Sequence, residues 1–297
     1  MQPLTVYVMQ QNLQRVLSTI ATLPSDVQSQ VNDESLRRLT QRNWGFDFYL
    51  LPTILEYAKW LEYSDEGSYY TYPLKNLHHL KSWLSCVTGA SVKEAECVVE
   101  EILDDDFLVD ILVRVCLQHG MNDSASRFQK QRASVYGRRI GWYGVVRIKK
   151  PRLVIETGID RGLGSAILCR ALMRNTEDGY SGRYLGTDIN PSAGVLLADP
   201  LSQFGSIAYG DSIETLKTLS SEIDVFINDS DHSADYEARE YDTIMNKLSK
   251  DAVILGDNSH VTDKLFQFAL RINRNYLHFA EEPSDHWYPG AGIGAAF

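Results

Sequence analysis

The sequence predicts a doubly wound α/β fold, a mostly parallel sheet with helices on both faces, preceded by a helical N-terminal domain. Three observations predict it. From about residue 136 onward, short apolar runs alternate with amphipathic stretches of about 10 to 15 residues, the rhythm of strand and crossover helix. A glycine-rich turn separates the first run from the stretch that follows it. Acidic residues then recur directly after the apolar runs, where open α/β sheets bind their ligands.

Residues 1–135 read as a helical domain. SLRRL from Ser35 and PTILEYAKWLE from Pro52 place apolar positions three and four apart, and so does SVKEAECVVEEIL from Ser91. Ser91 with Glu94 fits a capping box. The segment 63–73, YSDEGSYYTYP, is a polar, aromatic connection; Tyr69, Tyr70 and Tyr72 would suit a substrate wall, each an apolar ring with a hydroxyl handle. Residues 136–297 form the second domain. LVIE (153–156) is its first strand, followed by a helix from Ser165 to Arg174. RYLGTD (183–188) is the second strand. SIAY (206–209) is the third and leads into a helix from Ser212 to Leu219. DVFIN (224–228) is the fourth, followed by a helix from about Ala234 to Leu248. AVILG (252–256) is the fifth, followed by a helix from Lys264 to Arg274, and HWYPGAGIGAAF ends in a final strand.

Composition bounds the function. The chain has 297 residues, 44% apolar, 23% charged and 10% aromatic, as a globular protein does, and a formal charge of -10. That charge argues against nucleic-acid binding, which needs a basic surface to replace counterions. The local basic run of Arg138, Arg139 and RIKKPR (147–152) reads as a solvated helix end. Cys86, Cys97, Cys116 and Cys169 lie in apolar contexts with no ligand spacing, which predicts buried, reduced thiols and no zinc site. The N-terminus lacks a basic segment before an apolar one, and no stretch approaches the roughly 18 apolar residues of a membrane span, so the expectation is a cytoplasmic protein with no membrane partner.

The strand ends carry the chemistry. ETGIDRGLGS places Gly158, Gly162 and Gly164 in the first turn, allowing close backbone approach, with helix amides facing the ligand. The spacing is not the GxGxxG of dinucleotide sheets. Asp188, ending the second strand, can accept both hydroxyls of a ribose, or cap the turn before Pro191. Asp211, after the third, can receive an adenine amino group or cap the helix that follows. Asp229 ends the fourth strand, and Asp257 with Asn258 the fifth. Three oxygens from two neighbouring strand tips suit a hard divalent cation, magnesium or manganese. Asp231 reads as the next helix's N-cap or as a partner of the metal ligands, and would itself be the ligand if the motif slipped by two residues.

ETGIDRGLGS, GTDINP, AYGDS, DVFINDSDH and VILGDNSH together resemble the successive motifs of class I S-adenosylmethionine-dependent methyltransferases, enzymes with a Rossmann-like sheet. They are most similar to the metal-dependent O-methyltransferases of catechol and caffeoyl-CoA type and their natural-product relatives acting on sugars and antibiotics. The resemblance spans residues 136–260. It implies a cofactor site at Glu156, Thr157, Gly158, Gly162, Gly164, Ser165, Asp188, Asp211, Ser212 and Asp229. It implies Asp229, Asp257 and Asn258 as metal ligands, with Asp229 and His232 catalytic and His232 in the place of the general base; catechol-type enzymes carry lysine there. His260 is the alternative base; the tail around His286 and Trp287 reads as a tight loop before an edge strand, or as a lid or acceptor wall. His78, His79 and His119 read as solvated or packed. The implied reaction moves a methyl group from S-adenosylmethionine to a hydroxyl of a small molecule in natural-product metabolism. An added helical half caps such a site or forms an oligomer interface, so a dimer or larger assembly is expected. A nicotinamide-dependent oxidoreductase would need the absent GxGxxG turn, and a non-catalytic scaffold would show eroded site positions.

Overall fold

The computed structural model describes residues 71–284, 286, 288 and 290–297. The helices expected from Ser35 and Pro52, together with Tyr69, Tyr70 and Trp287, lie outside the described residues. The described residues belong to one compact unit.

Helices α1 (Leu77–Thr88), α2 (Val92–Leu103), α3 (Asp106–Gln118) and α4 (Asn122–Gln131) lead into α5 (Arg139–Lys149). Ser91 caps α2 by accepting from the Glu94 amide at 3.1 Å, the forward half of the expected box. The sequence places the boundary between a helical and a sheet domain near residue 135, whereas α1 to α4 belong to the same compact unit as the sheet. Their packing explains it. Leu80, Val99, Leu112 and Phe128 share one buried cluster with Val154 and Ile227 of the sheet. Asp105 caps α3 and also accepts from Arg170 Nε at 2.7 Å, a buried ion pair joining that layer to the helix after the first strand.

The sheet contains β1 (Leu153–Thr157), β2 (Arg183–Asp188), β3 (Gly205–Tyr209), β4 (Ile223–Asn228), β5 (Leu248–Gly256), β6 (Tyr276–Phe279) and β7 (Ile293–Ala296). Their order is β3-β2-β1-β4-β5-β7-β6, with β7 antiparallel to both neighbours and the rest parallel. Helices α6 (Leu163–Glu177), α7 (Ser212–Thr218), α8 (Ala234–Ile244) and α9 (Lys264–Arg271) make the crossovers. Covered on both faces, β1 is buried at every position, which is why it reads as an unbroken apolar run. Alternate residues feed opposite cores: Val225, Ile227, Val253 and Leu255 point to the α5–α6 side, Phe226 and Ile254 to the α8–α9 side.

The helices after β4 and β5 end at Ile244 and Arg271, each a few residues short of expectation, and two strands depart from it as well. β5 begins at Leu248, four residues early, because Leu248 pairs with Ile223 and Arg274 donates to the carbonyls of Ser249, Lys250 and Ala252. β6, unforeseen, is a four-residue edge strand against β7. Among the thiols, Cys116 and Cys169 are buried as expected, but Cys86 and Cys97 are exposed on helix faces turned to solvent; all four are free. His78, His79 and His119 are solvated. No helix among the described residues is long and apolar enough to cross a membrane.

Candidate active site

Strand order locates the site. β1 neighbours β2 on one side and β4 on the other, so the chain reverses its direction of sheet growth between β1 and β4, and a crevice opens beyond their carboxyl ends. Thr157 and Asn228 are register partners at that point, and the Asp229 amide donates to the Thr157 carbonyl at 2.9 Å. Asp229 thus emerges beside the turn at Gly158. A cavity of about 950 Å³ occupies the crevice, lined by Gly158, Asp188, Asp211, Ser212, Asp229, Asp231, His232, Asp257, Asn258 and His260, among others.

Gly158 has φ +78, and a Cβ there would lie 2.0 Å from the Asp229 carbonyl oxygen, so the turn requires glycine to approach the β4 exit. The other glycines approach the protein itself: a Cβ on Gly162 would meet Gly194, and one on Gly164 would meet Glu156 Oε1 at 2.1 Å. Gly162 and Ser165 do not line the cavity. Ser165 is fully buried, its hydroxyl on Glu156 and Tyr184. Glu156 is also buried, bonded by the Tyr184 and Ser165 hydroxyls; burial outweighs both bonds and pushes its carboxyl up to about 7. Glu156 and Gly164 face a smaller chamber of about 260 Å³ that shares Gly158, Asp160, Arg139 and Asp229 with the main cavity. Thr157, expected on the cofactor, is wholly buried and donates to Glu240 instead.

Asp188 shapes the turns on both sides of it and also faces the cavity. Its carboxylate accepts from the Ile159 and Asp160 amides at 3.1 and 3.0 Å and from the Asn190 amide at 2.8 Å, while lining the cavity. A carboxylate has about four acceptor sites, so one remains for a ligand hydroxyl. Asp211 caps α7, accepting from the Glu214 amide at 3.1 Å, and also faces the cavity. The helix after β4 is capped by Ser233, not Asp231; Asp231 accepts from the Ser233 amide at 2.7 Å and shapes the preceding turn.

Asp229, His232 and Asp257 bring ligand atoms within 4.8 Å of one another. Burial and the neighbouring Asp257 hold the Asp229 carboxyl well above the usual carboxylate range. Asn258 Oδ1 contacts His232 Nδ1; with that oxygen accepting, the ring hydrogen sits on Nδ1 and Nε2 is the basic nitrogen. His260 lines the cavity but turns Nδ1 to the Asp257 carbonyl at 3.1 Å. His286 packs against Tyr72, ring centroids 5.0 Å apart, and Tyr288 rather than His286 reaches the cavity.

Arg138, expected in solvent, is 5% exposed. Its Nε forms an ion pair with Asp257 Oδ1, off the line of a hydrogen bond, and its Nη1 donates to the Tyr72 hydroxyl at 3.2 Å. Glu281 stands 3.7 Å from the same Nη1 and accepts from the Arg138, Ala291 and Gly292 amides. Burying a guanidinium requires such partners. They come from segments 66 to 143 residues away, so only the presence of Arg138, not its burial, could be read from sequence. Glu240 was missed for the same reason: it sits in an amphipathic helix as one acid among several.

The donor set fits a hard divalent cation. Asp229 and Asp257 supply carboxylate oxygens, Asp257 Oδ1 carries the off-line Arg138 ion pair but no hydrogen bond, and the Asn258 carbonyl has a second lone pair beside its His232 contact. Arg138 already neutralises one side of Asp257.

Residues 155–259 match the family model described as a methyltransferase domain. None of the curated proteins matches the chain. Similar solved structures include a methyltransferase of Podospora anserina with bound SAH, 16% identical, covering 63% of this chain and 87% of that one at a TM-score of 0.45. An O-methyltransferase of Streptomyces achromogenes involved in tomaymycin synthesis, in complex with SAM, is 15% identical, covering 66% of this chain and 91% of that one at a TM-score of 0.43. An O-methyltransferase of Bacillus cereus in complex with SAH is 13% identical, covering 73% of this chain and 99% of that one at a TM-score of 0.43.

Proposed function

We propose that the methyltransferase domain moves a methyl group from S-adenosylmethionine to a hydroxyl of a small natural-product molecule, assisted by magnesium or manganese. The observation that supports this best is the convergence of Asp229, Asp257 and His232 at the β4 and β5 tips, in a cavity that continues past Gly158 to Asp188 and Asp211. The net charge of -10 favours a small-molecule acceptor over a nucleic acid.

When bound, S-adenosylmethionine supplies a methyl on a sulfonium that needs no protein nucleophile. Gly158 keeps the β1 turn close to the cofactor, Asp188 accepts from the ribose, and Asp211 with Ser212 borders the adenine side. Asp229, Asp257 and Asn258 would hold the cation, whose chemistry is to lower the pKa of a hydroxyl beside it. His232 Nε2 takes the acceptor's proton, and Asn258 fixes the ring for that task. Arg138 keeps Asp257 in place from behind. Alignment of the two reactants supplies much of the remaining acceleration.

Incubation with methyl-labelled S-adenosylmethionine and a panel of phenols, sugars and peptide-like hydroxyl compounds tests the proposal, with magnesium and after chelation. Label is expected on oxygen, diminished by chelation. Label on nitrogen or carbon would contradict O-methylation, and undiminished transfer after chelation would contradict the metal.

A further inference from the structure

Glu240 lies on α8, within the span Ala234–Ile244, with no exposed surface. Four side chains from three strand exits donate to its two oxygens. Thr157, ending β1, donates to Oε2 at 2.9 Å, and Asn228, ending β4, donates to the same oxygen. Ser212, just past β3, donates to Oε1, as does Ser230 beyond β4 at 2.9 Å. An ionised carboxylate accepts about four hydrogen bonds, so the set is saturated. The arrangement is divided by oxygen. The Oε2 donors, Thr157 and Asn228, are core residues with no exposure, whereas the Oε1 donors, Ser212 and Ser230, both line the cavity. Ser212 also meets the Tyr236 hydroxyl at 2.9 Å, which brings a third cavity residue under the same control.

We propose that Glu240 is the positioning residue of the cofactor site, holding the β3 and β4 exits in the spacing that the adenosyl half of S-adenosylmethionine requires. This rests on the cofactor assignment above. Bonds to a charged acceptor are shorter and about twice as strong as neutral ones, so one carboxylate can tie several short loops together. Glu240 touches no ligand itself and acts through Ser212, Ser230 and Tyr236.

The division by oxygen makes a selective test. In Glu240→Gln the amide oxygen can still accept from Thr157 and Asn228, while its NH₂ faces Ser212 and Ser230, whose hydroxyls must give up their donor role. The core half of the network survives and the cavity half is released. Glu237 on the same helix provides the comparison: it is equally buried, but bonds Tyr241 and Thr262, neither of which lines the cavity.

Calorimetric titration of the full chain with S-adenosylmethionine and with its demethylated product is the experiment, alongside the Tm of each variant. E240Q is expected to weaken both ligands about tenfold, the loss of roughly one charge-assisted bond. E237Q, with a comparable fall in Tm, is expected to stay within about twofold of the unmodified chain. Ser230→Ala removes one cavity-side donor and decides the matter if E240Q does not fold, with about threefold weakening expected. Unchanged affinity in E240Q or, failing that variant, in S230A overturns the proposal, as does equal weakening by E237Q. An unmodified chain that binds neither ligand overturns the cofactor assignment and this role together; one that binds while E240Q binds equally well overturns this role alone.

Discussion

Replacing Glu156 with Gln should remove a specific dependence of stability on pH. Burial raises the Glu156 carboxyl from its ordinary 4.5 to about 7, and the Tyr184 and Ser165 hydroxyls and the charge of Arg139 only partly offset it. Between those two values the folded chain binds a proton at this site that the unfolded chain has released. Stability therefore falls as pH rises, with the contribution fully present below 4.5 and lost as pH passes through about 7. One pKa unit corresponds to 1.36 kcal/mol, so the loss is about 3 kcal/mol. Gln is nearly isosteric, titrates nowhere in this range, and can still bond the Tyr184 and Ser165 hydroxyls. Urea unfolding of both proteins at intervals from pH 4.5 to roughly pH 8 measures the difference directly. The stability of the unmodified chain relative to E156Q should drop by about 3 kcal/mol across that range. A difference that stays flat, or rises with pH, would refute the account of a buried carboxyl held protonated by its surroundings.

Three further outcomes are expected. Asp257→Ala leaves the Arg138 guanidinium buried without its closest anion, and urea unfolding should show a loss of roughly 3 kcal/mol, within the range for a broken buried pair. His232→Ala should lower kcat by about 10²- to 10⁴-fold, as loss of a general base does, while the affinity for S-adenosylmethionine is unchanged by calorimetry. Gly158→Ala forces a Cβ to 2.0 Å from the Asp229 carbonyl at a φ of +78, and should abolish cofactor binding in the same titration.

The central strands were legible because β1, β4 and most of β5 are buried on both faces, which leaves continuous apolar runs and sharp polar ends. Those ends made Asp188, Asp211, Asp229, Asp257 and Asn258 visible, and all of them line one cavity. β6 escaped notice because Tyr276, Leu277 and His278 are only partly buried on an edge, so neither composition nor alternation marks them. Residues that work at a distance escaped for a different reason. Arg138 needs Asp257, Tyr72 and Glu281 around it before burial makes sense, and Glu240 needs four donors brought from three strand exits. No local pattern encodes either set. Thr157 shows the converse: its place at the end of β1 is evident in sequence, but the pleat turns its hydroxyl inward to Glu240.

Calorimetric titration of the full chain with S-adenosylmethionine is the most direct test of the proposal that the crevice between β1 and β4 is its site. Saturable binding of one molecule per chain, weakened by substitution of Asp188, is the predicted result. No binding at any concentration up to the millimolar range, by a folded chain with or without magnesium, would contradict it.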